Sequence, residues 1–195
     1  MYVRFIKPVI DLILALIALP FWCLIAIPIA IAIKVEDGGP VFYMAGRIGK
    51  DNKIFKMFKF RSMKVNAPVM YSADGSTYSA ADDPRVTKVG KFLRVTSLDE
   101  TAQVLNILTG EMALIGPRAS GTDSIGTFLP DEEDKMKVKP GITGYCQAYY
   151  RNSASPREKR LKDAWYANNV SFGLDLKIFF KTIHTVLKRE NVYTD

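Results

Sequence analysis

The sequence predicts a mostly helical α+β protein: an N-terminal membrane segment, then a small cytoplasmic domain with a short β-hairpin and amphipathic helices. Three observations lead to this fold class. No side chain is charged between Leu12 and Ile33, and a helix needs about 20 mostly apolar residues to cross a bilayer. A later run alternates apolar and basic residues, as a half-buried strand does, and the C-terminal part shows helical periodicity. We assign residues 1–36 to the membrane segment and residues 37–195 to the domain.

The membrane segment has basic residues on both sides. Arg4 and Lys7 precede it and many lysines and arginines follow it, so the positive-inside rule draws both ends toward the cytoplasm. Asp11 can pair with Lys7 one helical turn earlier. Pro20 and Pro28 can bend the helix, which would let it enter the membrane and return on the same side. Two alternatives stay open at this point: an ordinary single-span anchor, and a signal peptide, for which the apolar run is longer than usual.

A β-hairpin is predicted directly after the membrane segment. Residues 41–43 and 54–60 have the composition of strands, and the second run alternates Phe or Met with Lys. Gly46, Gly49 and the pair Asp51-Asn52 favour a turn between them. The polar stretch that follows, residues 65–83, is expected to be a long exposed loop.

Several helices are predicted further along the chain. Ser97 and Glu100 fit a capping box, so a helix should begin at Ser97 and end at Gly110. The acidic run 131–134 should begin another helix, and two more are predicted at residues 156–169 and 174–190. The last helix has an apolar stripe made of Leu176, Phe179, Phe180, Ile183, Val186 and Leu187. That stripe either packs on the core, which the pattern slightly favours, or lies in the membrane interface.

The charge and the cysteines restrict the class of partner. The formal net charge of +7 indicates anionic lipid headgroups or an anionic substrate, and no nucleic-acid-binding motif is present. The two cysteines, Cys23 and Cys146, suggest neither a disulfide framework nor a metal site.

The strongest candidate for chemistry is the acidic pair Asp99-Glu100. A carboxylate in the first turn of a helix is favoured in its ionised form, and it could attack phosphorus while Glu100 helps to bind Mg²⁺. The competing interpretation is ordinary helix capping, and Glu100 cannot easily cap Ser97 and bind a metal at once. Arginines beside Pro, Gly or Asn favour binding of phosphate groups. They are Arg85, Arg118 and Arg151, and Arg94 also precedes the acidic pair. Neither a P-loop nor a G-x-G-x-x-G motif is present.

Several short motifs occur in order along nearly the whole chain. They are Lys7…Asp11, Gly39-Pro40-Val41, Phe58–Met63, Asp83-Pro84-Arg85, Arg94…Asp99-Glu100, Gly116-Pro117-Arg118, Pro140–Gly144 and Gln147…Arg151-Asn152. Together they resemble the bacterial monotopic phosphoglycosyl transferases, in their short form. The resemblance implies an N-terminal re-entrant (helix-break-helix) membrane segment with both ends in the cytoplasm, and interfacial amphipathic helices on a domain at the cytoplasmic face of the bacterial inner membrane.

The resemblance also implies a reaction. A sugar 1-phosphate would pass from a UDP-sugar, expected to be N-acetylated, to polyprenyl (undecaprenyl) phosphate with release of UMP, as the first membrane step of surface glycan assembly. Downstream glycosyltransferases would be possible partners. Asp99 would be the nucleophile that carries the phosphosugar, Glu100 would help to hold Mg²⁺, and Arg94 would orient Asp99. The substrate-binding candidates are Lys59, Arg61, Arg85, Arg118, Gln147 and Arg151.

Two other functions stay open on the sequence. One is a membrane-anchored basic module without enzymatic activity, which would bind anionic lipid or nucleic acid. The other is a conventional nucleotide-sugar glycosyltransferase, which would release UDP instead of UMP. No motif identifies the sugar.

Overall fold

The computed structural model describes residues 1–70, 78, 82–150 and 153–188, which form a mostly helical α+β fold. The α-helices are α1 (Lys7–Asp37), α2 (Lys88–Thr96), α3 (Val104–Leu108), α4 (Tyr145–Tyr149), α5 (Pro156–Asn168) and α6 (Phe172–Leu187). The strands are β1 (Phe42–Ile48), β2 (Ile54–Phe60), β3 (Ala113–Ile115), β4 (Ser120–Gly121) and β5 (Gly141–Thr143). Short 3₁₀ turns cover Lys50–Asn52, Leu98–Gln103, Thr122–Ser124 and Glu133–Lys137, and a π-helical turn, Tyr2–Ile6, precedes α1. The sequence prediction of the fold class is confirmed at this level.

Helix α1 is the long apolar helix that the sequence predicts. It runs without interruption through Pro20 and Pro28 and ends at Gly38, whose φ of 71° is readily adopted only by glycine. Most of its apolar surface is exposed, and the helix is long and apolar enough to cross a membrane. This surface indicates membrane association. A helix-break-helix geometry is not shown, so the re-entrant topology stays a prediction.

One stripe of α1 nevertheless packs on the domain along the length of the helix. Its buried residues are Lys7, Asp11, Ala15, Ala26, Ile29 and Ile33, spaced about one turn apart except for a gap of about three turns between Ala15 and Ala26. Ala26, Ile29 and Ile33 belong to one hydrophobic cluster with Phe60 and Leu93, and Ala15 belongs to another. The helix is therefore part of the core as well as an exposed apolar surface.

Polar contacts hold the N-terminal end of α1. Nζ of Lys7 lies 3.6 Å from Oδ2 of Asp11, which confirms the predicted pair, and 2.9 Å from Oδ2 of Asp175 in α6. The hydroxyl of Tyr2 also donates to Asp175, at 2.8 Å.

Other polar contacts hold the C-terminal end. Asp37 forms an ion pair with Arg61, just beyond β2. The Glu36 carboxylate accepts hydrogen bonds from the first two backbone N–H groups of α2, those of Lys88 and Val89, and so caps that helix. Both ends of α1 therefore contact the same domain.

The predicted hairpin is confirmed, with a longer first strand. Strands β1 and β2 pair antiparallel from Phe42 opposite Phe60 to Ile48 opposite Ile54, so Gly46 lies inside β1 and not in the turn. The turn itself contains Asp51 and Asn52, whose φ values are 54° and 59°. Strand β4 extends the sheet on the other side of β1.

The predicted start of a helix at Ser97 is wrong. Ser97 instead ends α2, a helix that the sequence analysis did not predict, and it adopts a φ of 58°. A 3₁₀ turn, Leu98–Gln103, follows, and the α-helical part begins only at Val104. This helix ends near Gly110, whose φ is 81°, as the sequence predicted. The acidic run 131–134 leads into a 3₁₀ turn, Glu133–Lys137, instead of a longer helix.

The apolar stripe of α6 does not pack on the core, contrary to the interpretation that the pattern slightly favoured. Its described side chains, Leu176, Phe179, Phe180, Ile183 and Val186, are between 38% and 61% exposed. A different face of α6, with Asp175, Ile178 and Thr185, is buried. The packed face includes polar residues with partners, because Thr185 donates to the Ala148 carbonyl and Asp175 accepts from Tyr166. The periodicity alone could not reveal this choice of face.

Candidate active site

Asp99 and Glu100 lie in the first turn after a sharp change in chain direction. The left-handed conformation of Ser97 separates α2 from the Leu98–Gln103 turn, and few residues other than glycine adopt it. Ser97 does not cap the turn with its side chain. The capping box proposed from the sequence is therefore absent, and the Glu100 side chain is available for other contacts.

Glu100 accepts from two cations. Nζ of Lys59 lies 2.7 Å from Oε1 of Glu100, and Nη2 of Arg118 lies 3.2 Å from the same oxygen. Burial acts to raise the pKa of Glu100, but the charges and hydrogen bonds of Arg118 and Lys59 outweigh it and lower the pKa to about 2. Glu100 is therefore ionised at neutral pH, and it holds both cations beside Asp99.

Asp99 has a different environment, although it is the adjacent residue. No described residue donates a hydrogen bond to its half-buried carboxylate. Burial raises the pKa of Asp99, and Glu100 adds to the increase, while Lys59, Arg94 and Arg118 oppose it. Burial therefore opposes the ionised form that the sequence predicted for Asp99. The lone pairs of this carboxylate accept no hydrogen bond in the described part of the chain, so they are available for nucleophilic attack.

Arg94 approaches this pair from α2. Its Nε donates to the Ser62 hydroxyl at 3.1 Å, and its charge lowers the pKa of Asp99. Helix α2 lies very close to the chain at Ser62, because a Cβ added to Gly90 would be 1.9 Å from the Ser62 carbonyl oxygen. This close approach brings Arg94 toward Asp99.

The loop that carries Arg118 is fixed by backbone contacts between two glycine-containing motifs. The N–H of Gly116 donates to the Thr143 carbonyl at 2.9 Å, and the N–H of Gly141 donates to the Pro117 carbonyl at 3.0 Å. A Cβ on Gly116 or Gly141 would lie less than 3 Å from backbone atoms of the other segment, so only glycine fits at these positions. The two motifs, far apart in the sequence, therefore form one structural unit beneath Arg118.

Asp163 of α5 also holds this loop in place through hydrogen bonds. Its Oδ2 accepts from the backbone N–H of Arg118 and from Nζ of Lys135, both at 3.1 Å. Burial raises the pKa of Asp163, and Lys135 opposes the increase. This role of Asp163 was not predicted from the sequence.

A small open cavity lies beside Glu100. Its polar lining comes from Arg47, Lys59, Glu100, Gln103, Arg118 and Gln147. Three of the predicted substrate-binding residues, Lys59, Arg118 and Gln147, are therefore brought together with Glu100. The Gln147 amide donates to the Ile142 carbonyl at 3.1 Å, while its buried Oε1 has no hydrogen-bond partner among the described residues.

Arg61 and Arg85 are not brought to this cavity. The Arg61 guanidinium donates to Asp37 and to the carbonyls of Pro40 and Met63. Arg85 pairs with Asp83 and donates to two nearby carbonyls. A substrate-binding role for either arginine stays a prediction.

Arg151 lies outside the described residues, as does most of the predicted loop at 65–83. Arg47, in contrast, lines the cavity but was not among the residues predicted from the sequence to bind substrate. No sequence signal distinguished it, because its place in the cavity depends on the pairing of β1 with β2 and β4.

The acidic pair suits a hard cation with few protein ligands. No group of three or more acidic, histidine or cysteine side chains arranged for a metal is present in the part of the chain that the structure describes. Mg²⁺ is often held by one or two carboxylates together with substrate phosphates and water, and both Asp99 oxygens and Oε2 of Glu100 receive no hydrogen bond from described residues. The donor set therefore fits Mg²⁺ in the presence of a phosphate substrate.

This arrangement has the parts needed for group transfer at phosphorus: a free carboxylate and several cations suited to phosphate oxygens. Comparison with known proteins places the chain in a class. The model of the bacterial sugar transferase family matches residues 2–189, so the chain belongs to that family.

Individual relatives extend this result. The chain is 35% identical over 204 residues to the undecaprenyl-phosphate galactose phosphotransferase of Salmonella typhimurium, a match that covers 97% of this chain and 42% of that protein. It is 38% identical over 189 residues to the UDP-N-acetylgalactosamine-undecaprenyl-phosphate N-acetylgalactosaminephosphotransferase of Aeromonas hydrophila, covering 94% of this chain and 44% of that protein. The uncharacterized sugar transferase EpsL of Bacillus subtilis is 35% identical over 187 residues, covering 96% of this chain and 90% of EpsL. The chain thus spans less than half the length of the first two relatives and most of the third.

Proposed function

We propose that the protein transfers a sugar 1-phosphate from a UDP-sugar to undecaprenyl phosphate and releases UMP, which would begin the assembly of a surface glycan. The observation that carries this proposal is the Asp99-Glu100 pair beside Lys59 and Arg118, in a chain that matches the bacterial sugar transferase family over residues 2–189. Relatives named for undecaprenyl phosphate as acceptor support the choice of substrates.

In the first step, a carboxylate oxygen of Asp99 attacks the phosphorus that is bonded to the sugar. The bond from this phosphorus to the bridging oxygen of the diphosphate breaks, and UMP leaves with that oxygen. The sugar phosphate is then an acyl phosphate on Asp99. Lys59 and Arg118 stabilise the charge on the phosphoryl oxygens, and Glu100 holds both cations in place.

In the second step, a phosphate oxygen of undecaprenyl phosphate attacks the same phosphorus. The bond to Asp99 breaks, which restores the carboxylate and gives the undecaprenyl diphosphate sugar. Two displacements replace one direct reaction between a soluble diphosphate and a lipid phosphate. Downstream glycosyltransferases would extend the lipid-linked sugar.

Mg²⁺ fits this scheme as the resident metal. Asp99 and Oε2 of Glu100 would hold it, and it would neutralise negative charge on the diphosphate when bound. Arg94 acts on Asp99 through its charge, since it favours the ionised carboxylate.

The donor sugar is proposed to be an N-acetylated hexose. The relatives are named for galactose and for N-acetylgalactosamine, so family membership does not identify the sugar. UMP release from a panel of UDP-sugars, with and without the N-acetyl group, tests this part. Equal or faster release from the sugars without an N-acetyl group would contradict it.

For topology, we propose a re-entrant membrane segment, residues 1–36, and a catalytic domain, residues 37–195, at the cytoplasmic face of the inner membrane. The support is that Lys7 near one end of α1 and Asp37 at the other both form ion pairs with the same domain. A straight crossing would require the polar domain to follow the helix through the hydrocarbon, where unpaired polar groups are costly.

Cysteine labelling tests the topology in a variant without native cysteines. Arg4→Cys and Lys53→Cys, each exposed, should both be unreactive toward a membrane-impermeant maleimide outside intact cells. Both should react after permeabilisation. Labelling of only one of them from outside would indicate a straight crossing.

The exposed stripe of α6 is proposed to lie in the membrane interface. A fluorophore at Phe179→Cys, on the stripe, should be quenched by brominated lipids, and one at Lys177→Cys, exposed and about 160° away around the helix, should not. Equal quenching at both positions would contradict this orientation.

The chemistry is tested by the covalent adduct. Mass spectrometry of the full chain in detergent, treated with Mg²⁺ and UDP-sugar but no lipid, should show a phosphosugar on Asp99. Asp99→Asn should abolish the adduct, the exchange of labelled UMP into UDP-sugar, and turnover. Release of UDP would instead indicate a conventional glycosyltransferase, and turnover by Asp99→Asn would refute the assignment of the nucleophile.

A further inference from the structure

Arg47 is a basic residue that lines the cavity. It lies on β1 between Phe55 of β2 and Gly121 of β4, and a Cβ on Gly121 would be 3.2 Å from its Nη1. Its Nε is buried, and no described residue accepts a hydrogen bond from it. A buried donor without an acceptor costs free energy, so a native structure normally supplies one from the protein, water or a ligand.

The charges around Arg47 indicate the chemical class of ligand that would bind beside it. Arg118 faces it with the same sign, and burial and this repulsion lower the pKa of Arg47, while Tyr43, Asp123 and Glu100 oppose the decrease. Lys59 is a third cation on the cavity wall, and Glu100 is the only carboxylate among the cavity's lining residues. Because Glu100 already accepts from Lys59 and Arg118, the cavity keeps an excess of positive charge that an anion would neutralise.

A second atom without a hydrogen-bond partner among the described residues restricts the chemical class of the ligand further. The buried Oε1 of Gln147, on the same cavity, accepts no hydrogen bond from the described residues. A ligand that satisfies both atoms must carry an anionic acceptor for Arg47 and an N–H or O–H donor for Gln147. A nucleoside phosphate has both.

The positions of the three cations relative to Asp99 indicate which phosphate of the donor Arg47 contacts. Lys59 and Arg118 both donate to Glu100, the residue next to Asp99, whereas no hydrogen bond joins Arg47 to Asp99 or Glu100 among the described residues. We infer that Arg47 binds the phosphate that departs with the nucleoside, while Lys59 and Arg118 contact the phosphate that is transferred. This inference rests on the proposed function for the identity of the donor.

Equilibrium binding tests the inference without turnover. Asp99→Asn protein, as the full chain in detergent, is titrated calorimetrically with UMP and with uridine, which lacks the phosphate. Adding Arg47→Gln should weaken UMP binding by about tenfold or more, because a charge-assisted contact is lost, and leave uridine binding unchanged. Arg47→Lys should recover part of the UMP affinity. Lys56→Gln, an exposed basic residue of the same hairpin, should bind UMP as its parent does.

Each outcome decides the inference. Equal UMP affinity with and without Arg47 overturns it, as does the absence of UMP binding to the parent protein. An equal loss of UMP and uridine affinity also overturns it, since that would indicate a structural role. Failure of the proposed function is seen separately, as no UMP release by the unmodified protein from any UDP-sugar.

Discussion

Asn106 connects the hairpin to the segment that carries Asp99, and its replacement tests this connection. The residue is completely buried; its Oδ1 accepts from the Phe58 N–H at 2.9 Å, and its Nδ2 donates to the Lys56 carbonyl and to Glu111, both at 2.8 Å. Asn106→Leu keeps the size of the side chain but leaves the two backbone groups without this partner. At about 1–3 kcal/mol for each group, the free energy of unfolding should fall by about 2–6 kcal/mol.

The measurement is thermal unfolding in a single detergent, followed by circular dichroism. For a chain of this length, roughly 2–4 °C per kcal/mol gives a fall in Tm of about 5–20 °C. The control is Asn169→Ala, which removes one exposed hydrogen bond to the Trp165 carbonyl and should change Tm by less than about 2 °C. A Tm for Asn106→Leu no lower than that of the control would refute the reasoning that these bonds hold β2 in place.

Two further predictions concern the rate of adduct formation at acidic pH and the packing of α2. The nucleophile must be ionised, and burial raises the pKa of Asp99. As the pH decreases, the rate of adduct formation should therefore begin to fall at a pH above 3.8, the ordinary pKa of aspartate. In pH–rate profiles measured by rapid quench, Lys59→Gln should move this decrease in rate to higher pH, and Glu100→Gln should move it to lower pH. Shifts of both variants in the same direction would contradict the assigned effects of the two charges on Asp99. Gly90→Ala should greatly reduce the yield of folded protein on size-exclusion chromatography, because its Cβ would meet the Ser62 carbonyl at 1.9 Å. Gly173→Ala, with nothing within 4 Å of its Cβ, is the matched control and should behave as the parent does.

Local patterns in the sequence were enough to predict several features. The uncharged run predicted α1, the alternation of Phe and Lys predicted β2, and the pair Lys7 and Asp11 lies one turn apart as expected. These features depend on residues that are neighbours along the chain, whose spacing fixes their geometry once the type of element is known.

Other features depended on contacts between distant segments. Ser97 and Glu100 matched a capping box, yet Glu100 contacts Lys59 and Arg118, because these cations lie close enough to offer it stronger partners than a backbone N–H. Arg61 resembled a phosphate ligand in its motif, but it lies beside Asp37 at the end of α1 and pairs with it. Sequence spacing carries no information about such partners.

The amino-acid sequence alone determined the apolar helix, the hairpin and the choice of Asp99-Glu100 as the candidate centre, because local periodicity and the order of motifs depend only on the chain. Only the tertiary structure decided which face of α6 is buried, which cations reach Glu100, and that Arg47 faces Arg118 across one cavity. The physical reason is that burial and charge interactions depend on distances through space, and these follow from packing of segments far apart in the sequence.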